Sequence, residues 1–304
     1  MTIPAEGPSP ARIIAPLLRI PHSQRVFRLP PSALKRGYGM TGEIVDQLVG
    51  LGLPHLATPE GPLFDEDDIA SVSLYLRLPS ARRGVMTYWV RALRRLGTAG
   101  APPVHRVDVA AGCPDPGHEG ACRYTLALDD GPPRAQDAHR DATEPLASLV
   151  VRAAGRPREL PAAVREVLRV FQDIDYYLLP GTAAAEPGLM QRTGIGDCIL
   201  MARALVEEAL DRGMDARVAS GLIVAVPFSS AHTWAEFQVA GEWLPVDPLL
   251  PKALSAWGVP GAAEWPPTLS PVGLFHRLGG QPRQLVTHGG EPCGFSLRTR
   301  EEAA

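Results

Sequence analysis

A mixed helical and strand fold, with helices leading and strands following, is what this 304-residue sequence predicts. Three observations carry that expectation. Apolar residues recur at helical spacing through the first hundred positions. The middle of the chain alternates apolar and polar. A long helical pattern then starts at Cys198 and is followed by strand-like runs as far as Asp247. The 45% hydrophobic and 21% charged fractions suit a globular chain that can bury a core. A net charge of −3 provides no overall field for nucleic acid or membrane.

Residues 1 to about 35 are punctuated by proline and read as loop and surface segment. In "MTGEIVDQLVGLGLP", Ile44, Val45, Leu48 and Leu51 share one helical face, with Thr41 as N-cap. "LFDEDDIASVSLYL" reads as a second helix whose acidic first turn suits the helix dipole. "SARRGVMTYWVRALRRLG" reads as a third, its arginines forming a solvated face. "VHRVDVAA" and "CRYTLALDDG" alternate like strands, and with "CPDPGHEGAC" between them they predict a hairpin with a long loop. A polar linker follows over 130–145. "PAAVREVLRVFQDIDYYL" is again helical. Strands are expected over 216–226, from His232, and up to Asp247. After Pro248 the pattern weakens, and loops with short strands near "QLVTHGG" and "GFSLRTR" are expected.

Chemistry concentrates in three pieces: "GDC" at 196–198, "HTWAEF" at 232–237 and "WLPVDPLL" at 243–250. Cys198 opens a helix whose apolar stripe reads Ile199, Arg203, Val206 and Leu210, widened by Leu205 and Ala209. The free N–H groups and dipole at a helix start stabilise negative charge, and only a thiolate is a good nucleophile. The plain alternative is a small, buried, inert cysteine. His232, Trp234 and Glu236 alternate onto one face of their strand, while Thr233, Ala235, Phe237 and Val239 form the packed one. A two-residue hairpin loop at "AGE" makes paired positions sum to an odd number. Asp247 then falls on the face of His232, although "DP" alone would merely start a turn. The set is mechanistically complete. Cys198 attacks an acyl carbon, His232 carries the proton, and Asp247 orients the ring. The Cys198 backbone N–H is one oxyanion donor, and Gln191, Tyr176 and Tyr177 are candidates for a second.

The order Gly196-Asp197-Cys198, then His232-Thr233-Trp234-Ala235-Glu236, then Asp247-Pro248 resembles the core of the transglutaminase-like superfamily over about residues 161–250. The resemblance implies a papain-like α+β core, a nucleophile helix packed on an antiparallel sheet, and a Cys198–His232–Asp247 triad. Trp234, Gln191, Gly196 and Asp197 are expected in supporting or substrate-binding positions. Thr233 stands where many members carry alanine and Leu249 where they carry threonine, and no calcium-site signature appears. Three segments are expected: a mostly helical recognition domain over 1–98, the hairpin and linker over 99–145, and the transglutaminase-like catalytic domain with its Gly/Pro-rich tail over 146–304.

The implied activity is cleavage of an amide or thioester, or acyl transfer to an amine. Its acyl donor is a peptide, a carrier-bound group or a small molecule. No phosphate loop occurs, so no nucleotide cofactor is expected. Cys113, His118 and Cys122 could hold zinc, but a fourth ligand is missing locally and the spacing fits no common finger, so no metal is expected. No signal-like or bilayer-length apolar segment appears, so the protein is expected in the cytoplasm with its four cysteines as thiols. The N-terminal "TGEIVDQLVGLGLPHLATPEGPLFDEDDI" faintly resembles a winged helix of the MerR kind. This leaves two alternatives: a leader-peptide protease of a peptide-maturation system, or a non-catalytic DNA-binding protein. Nucleic-acid binding is disfavoured because no base-reading recognition helix follows.

Overall fold

The computed structural model describes residues 7–98, 102–115, 117–139, 144–181, 183, 186 and 188–302. Its first stretch runs α1 (Pro10–Leu17), β1 (Phe27–Leu29), α2 (Pro31–Tyr38), α3 (Gly42–Gly50), β2 (Leu56–Thr58), β3 (Gly61–Asp65), α4 (Glu66–Tyr75) and α5 (Ala81–Thr98). Strands β4 (Val104–Ala111), β5 (Ala121–Leu126), β6 (Arg134–His139), β7 (Ala147–Arg152) and β8 (Arg158–Glu159) follow. Next come α6 (Ala162–Arg169), β9 (Asp175–Tyr176), α7 (Leu189–Thr193), β10 (Ile195–Gly196) and α8 (Cys198–Asp211). The remainder is β11 (Ala216–Ile223), β12 (Ser230–Val239), β13 (Glu242–Val246), α9 (Leu249–Ala256), β14 (Leu269–Ser270), β15 (Phe275–Gly279), β16 (Val286–His288), β17 (Glu291–Pro292) and β18 (Phe295–Glu302). These elements make an α+β protein. They cluster into two compact units: described parts of 1–87, 165–201 and 247–267 in the first, and of 88–164, 202–246 and 268–304 in the second.

In the first unit α3 buries Ile44, Val45 and Leu48, whereas Leu51 is exposed and Leu53 takes its place in the core. Thr41 stands at the N-cap position, but its hydroxyl makes no capping bond. Leu63, Phe64 and Asp65 belong to β3 rather than to the following helix, which starts one residue later. Asp65 makes that boundary: its Oδ1 accepts the N–H groups of Asp67 and Asp68 at 2.9 and 3.2 Å. Helix α4 is buried from Asp68 to Tyr75. The buried Asp68 carboxylate pairs with Arg25 Nε at 2.6 Å, and Arg25 also donates to the carbonyls of Ile20 and Leu17. Only Oδ2 of that carboxylate is paired, and Oδ1 is buried without a hydrogen bond, so burial disfavours the ionised form.

The second unit holds a four-stranded sheet in the order β13-β12-β11-β15, and two others in the orders β18-β4-β7 and β17-β16-β5-β6. Val107, Val109, Tyr124, Leu126, Leu222 and Leu297 share one core. The expected β4–β5 hairpin does not form: β4 pairs with β18 and β7, and β5 with β6 and β16. Both strands alternate as expected, but alternation does not specify the partner. The 130–145 stretch contains β6, and the tail after Pro248 contains α9 and the eight-residue β18. Strand β18 stands where a short strand was expected near "GFSLRTR", with Leu297 and Thr299 buried and Ser296, Arg298 and Arg300 exposed in alternation.

Candidate active site

Cys198 is the first residue of α8 and is half-buried. Asp197, immediately before it, is the cap. Its buried carboxylate accepts the N–H groups of Ile199 and Leu200 at 3.0 and 2.8 Å. Two of the first-turn donors assigned above to the thiolate are therefore held by Asp197. The buried stripe of α8 is Met201, Ala202, Leu205 and Ala209, whereas Arg203 and Leu210 are exposed. The helix is thus rotated from the stripe read in the sequence. Residues 199–201, 205–206 and 209–210 are all apolar, so two stripes were available.

Gly196 sets what lies beside the thiol. It pairs in parallel with Tyr176, and its carbonyl accepts the N–H of Tyr177 at 3.0 Å. A Cβ at Gly196 would sit 3.0 Å from Met190 Sδ, which leaves little room for a side chain. The strand so held carries Tyr176, which is buried and close enough to Cys198 to feel its charge. Burial first, then the negative charges of Cys198, Asp197 and Asp247, hold the Tyr176 phenol far above the ordinary tyrosine range. It stays protonated and can donate. Tyr75 braces this strand through its hydroxyl, which donates to the Tyr176 carbonyl at 2.9 Å. Trp257 packs edge-on against the Tyr176 ring at 5.3 Å.

The other oxyanion candidates are placed differently. The Tyr177 hydroxyl donates to the Ile13 carbonyl at 3.0 Å, and Gln191 is exposed on α7. Asp247 is buried, and its Oδ1 accepts from the N–H groups of Leu249 and Leu250 at 2.9 and 3.0 Å. It therefore starts a helix rather than only a turn. Pro248 occupies a first-turn position where a missing N–H is harmless. The capping bonds pin one carboxylate oxygen, and a carboxylate has a second with its own lone pairs.

His232 lies in the second unit, on β12, with β11 on one side and β13 on the other. Both faces of this strand are buried, so Thr233, Ala235 and Phe237 are not its only packed set. The imidazole is near-parallel to Trp234 at 6.4 Å and edge-on to Phe275 at 5.3 Å. Glu236 holds its neighbours: it accepts from Trp234 Nε1 at 3.4 Å and from Arg217 Nε at 2.7 Å. Arg217 in turn lies 4.0 Å over the Trp243 ring. Val239 pairs with Glu242, leaving Ala240 and Gly241 as a two-residue loop. Both have positive φ, 51° and 85°, the combination that matches strand twist. Val246 faces Ala235, and Asp247 follows it by one residue.

A helix opening on a thiol, a buried histidine on a central strand and an aspartate one residue past the next strand follow one another along the chain. Residues 146–248 match the family model of the transglutaminase-like superfamily, and this segment is a transglutaminase-like core domain. Members of that superfamily are usually cysteine enzymes of acyl chemistry. The matched span includes Cys198, His232 and Asp247; the α3–β2–β3–α4 region lies outside it. Among solved structures, the chain is similar to the periplasmic domain of TgpA from Pseudomonas aeruginosa. The identity is 16% and the TM-score 0.26, over 57% of this chain and 95% of that one. The same domain bound to ethylmercury gives 17% and 0.25, over 54% and 96%. No curated protein matches the chain. Among the described residues no helix is long and apolar enough to cross a membrane.

Proposed function

We propose that this protein is a cysteine enzyme that cleaves an amide or thioester, or transfers its acyl group to an amine, through an acyl-Cys198 intermediate. The observation that carries the reading is the protonated Tyr176 held against the first residue of α8, within a transglutaminase-like core. The Cys198 sulfur attacks the acyl carbon, and the carbonyl electrons move to oxygen. The Cys198 N–H and the Tyr176 hydroxyl receive that oxyanion. As the intermediate collapses, His232 gives its proton to the leaving amine or thiol and the thioester is left. Water or an amine then attacks, His232 takes its proton, and Cys198 is released. Asp247 orients the imidazole and balances its charge. The parity of the β12–β13 register supports that role, as does the pinning of Asp247 by its two capping bonds.

The substrate in this proposal is an intracellular peptide or biosynthetic intermediate, handled in the cytoplasm, where thiols persist. The N-terminal region selects it. A leader-peptide protease is the second reading, favoured by one feature: β2 is an edge strand with Leu56 exposed, and an edge can accept an extended peptide. Incubation with an activated thioester followed by intact-mass analysis tests the proposal. One acyl group should appear on wild type and Asp247→Asn, more slowly on the latter, and none on Cys198→Ala. Undiminished turnover by Cys198→Ala would contradict it.

A further inference from the structure

We propose that Cys113, His118, Cys122 and His288 form a structural zinc site. This inference does not depend on the acyl-transfer reading. The four ligand atoms lie within 4.8 Å of one another. His118 Nδ1 is 3.5 Å from Cys113 Sγ and 3.4 Å from Cys122 Sγ. His288 Nε2 is 3.9 Å from Cys113 Sγ. A tetrahedral ion with Zn–S of about 2.3 Å and Zn–N of about 2.0–2.1 Å has ligand atoms about 3.3–3.8 Å apart along its edges. The cluster is already close to that size.

The fold explains how the set arises. Cys113 lies two residues past the end of β4, and Cys122 is buried on β5. His288 closes β16 opposite Tyr124 of β5, which puts it diagonal to Cys122 on the shared face. The turn Gly289-Gly290, with both residues at positive φ, then returns the chain into β17. The fourth ligand is thus supplied by strand pairing, from a point 175 residues beyond Cys113. The buried Tyr124 ring packs edge-on against His288 at 5.2 Å and fixes the orientation of that imidazole.

Two thiolates and two neutral imidazoles suit zinc, and four protein ligands leave no open position, which is the mark of a structural ion. Binding is balanced without any redox step. Each cysteine releases its proton to solvent, and the thiolates cancel the charge of the ion. The ion would join the β4 end, the 113–122 loop, β5 and β16, elements from two different sheets.

Elemental analysis of the purified full chain should find one zinc per chain. Cys113→Ser and His288→Ala should lose it, and Cys198→Ala should keep it. Metal-stripped wild type titrated with Co²⁺ should develop the visible absorption of a tetrahedral two-thiolate site, saturating at one equivalent and abolished by zinc. That titration needs no variant to fold. Absence of both zinc and the cobalt spectrum, a Cys113–Cys122 disulfide in peptide maps, or full zinc retention by His288→Ala would overturn the proposal.

Discussion

Tyr176 and Tyr177 are adjacent and chemically alike, yet only Tyr176 lies beside Cys198. Backbone pairing with Gly196 turns Tyr176 toward Cys198, while Tyr177 turns toward α1 and bonds the Ile13 carbonyl. The sequence showed both as donors but carried no signal for choosing between them, because the choice is made by a two-residue parallel bridge. Asp197 and Asp247 drew notice in the sequence as proposed site residues; what the structure shows of them is that they cap α8 and α9, each standing two and three residues before the apolar positions whose N–H groups it accepts. Removing only the Tyr176 hydroxyl tests its proposed role. Tyr176→Phe should lower kcat by about 10²–10³-fold, the loss typical of one oxyanion donor. Limited proteolysis should show the fold intact, and alkylation of Cys198 should persist. Unchanged kcat would remove Tyr176 from the oxyanion role.

The elements that were legible are those whose pattern has one solution. Strand β12 and its two-residue turn are examples, because a loop of two residues at Ala240-Gly241 dictates the register as far as Val246. Helix α8 has two solutions. Its existence and start were readable, but its buried stripe was not, since apolar residues occupy both faces. A pair of truncations separates them. Leu205→Ala should cost about 2–5 kcal/mol, as for a fully buried leucine. Leu210→Ala, at an exposed position, should stay within about 0.5 kcal/mol of wild type. Denaturant midpoints would report both, and equal costs would contradict the observed rotation of the helix. Long-range pairing was the least legible feature: β4 and β5 are neighbours in sequence but join different sheets.

Across the molecule, each unit is assembled from three separated stretches of chain. Composition and periodicity are local, so they report elements well and such interleaving poorly. The first unit also carries a pH dependence. Asp67 is raised to about 7 by burial and then by the Asp65 charge, with Glu66 and Asp68 adding to the effect and Arg82 opposing it. Asp68 is raised to about 6 by burial, against the pull of Arg25. A carboxyl raised in the folded state holds its proton more tightly there than in the unfolded chain. Its contribution is full below the unfolded value of about 4 and is lost as pH rises through the folded one. Stability from this source should therefore fall between about pH 4 and pH 7. Asp67→Asn should be more stable relative to wild type at pH 8 than at pH 4, as read from denaturant midpoints. An equal difference at both would contradict the assignment.

The central claim is that Cys198 is a nucleophile activated by His232, and limited alkylation at about pH 6 tests it most directly. Thiols of ordinary reactivity are almost wholly protonated and slow there. The four cysteines would be followed by peptide mass after chelation, in wild type and His232→Ala. Cys113 is half-buried like Cys198 and is the fair reference; Cys122 and Cys293 are buried, and burial pushes the Cys293 thiol up. The account predicts that Cys198 reacts fastest and slows by about 10²-fold or more without His232, the low end of what a catalytic proton carrier contributes. A Cys198 no faster than Cys113, or a rate indifferent to His232, would contradict it.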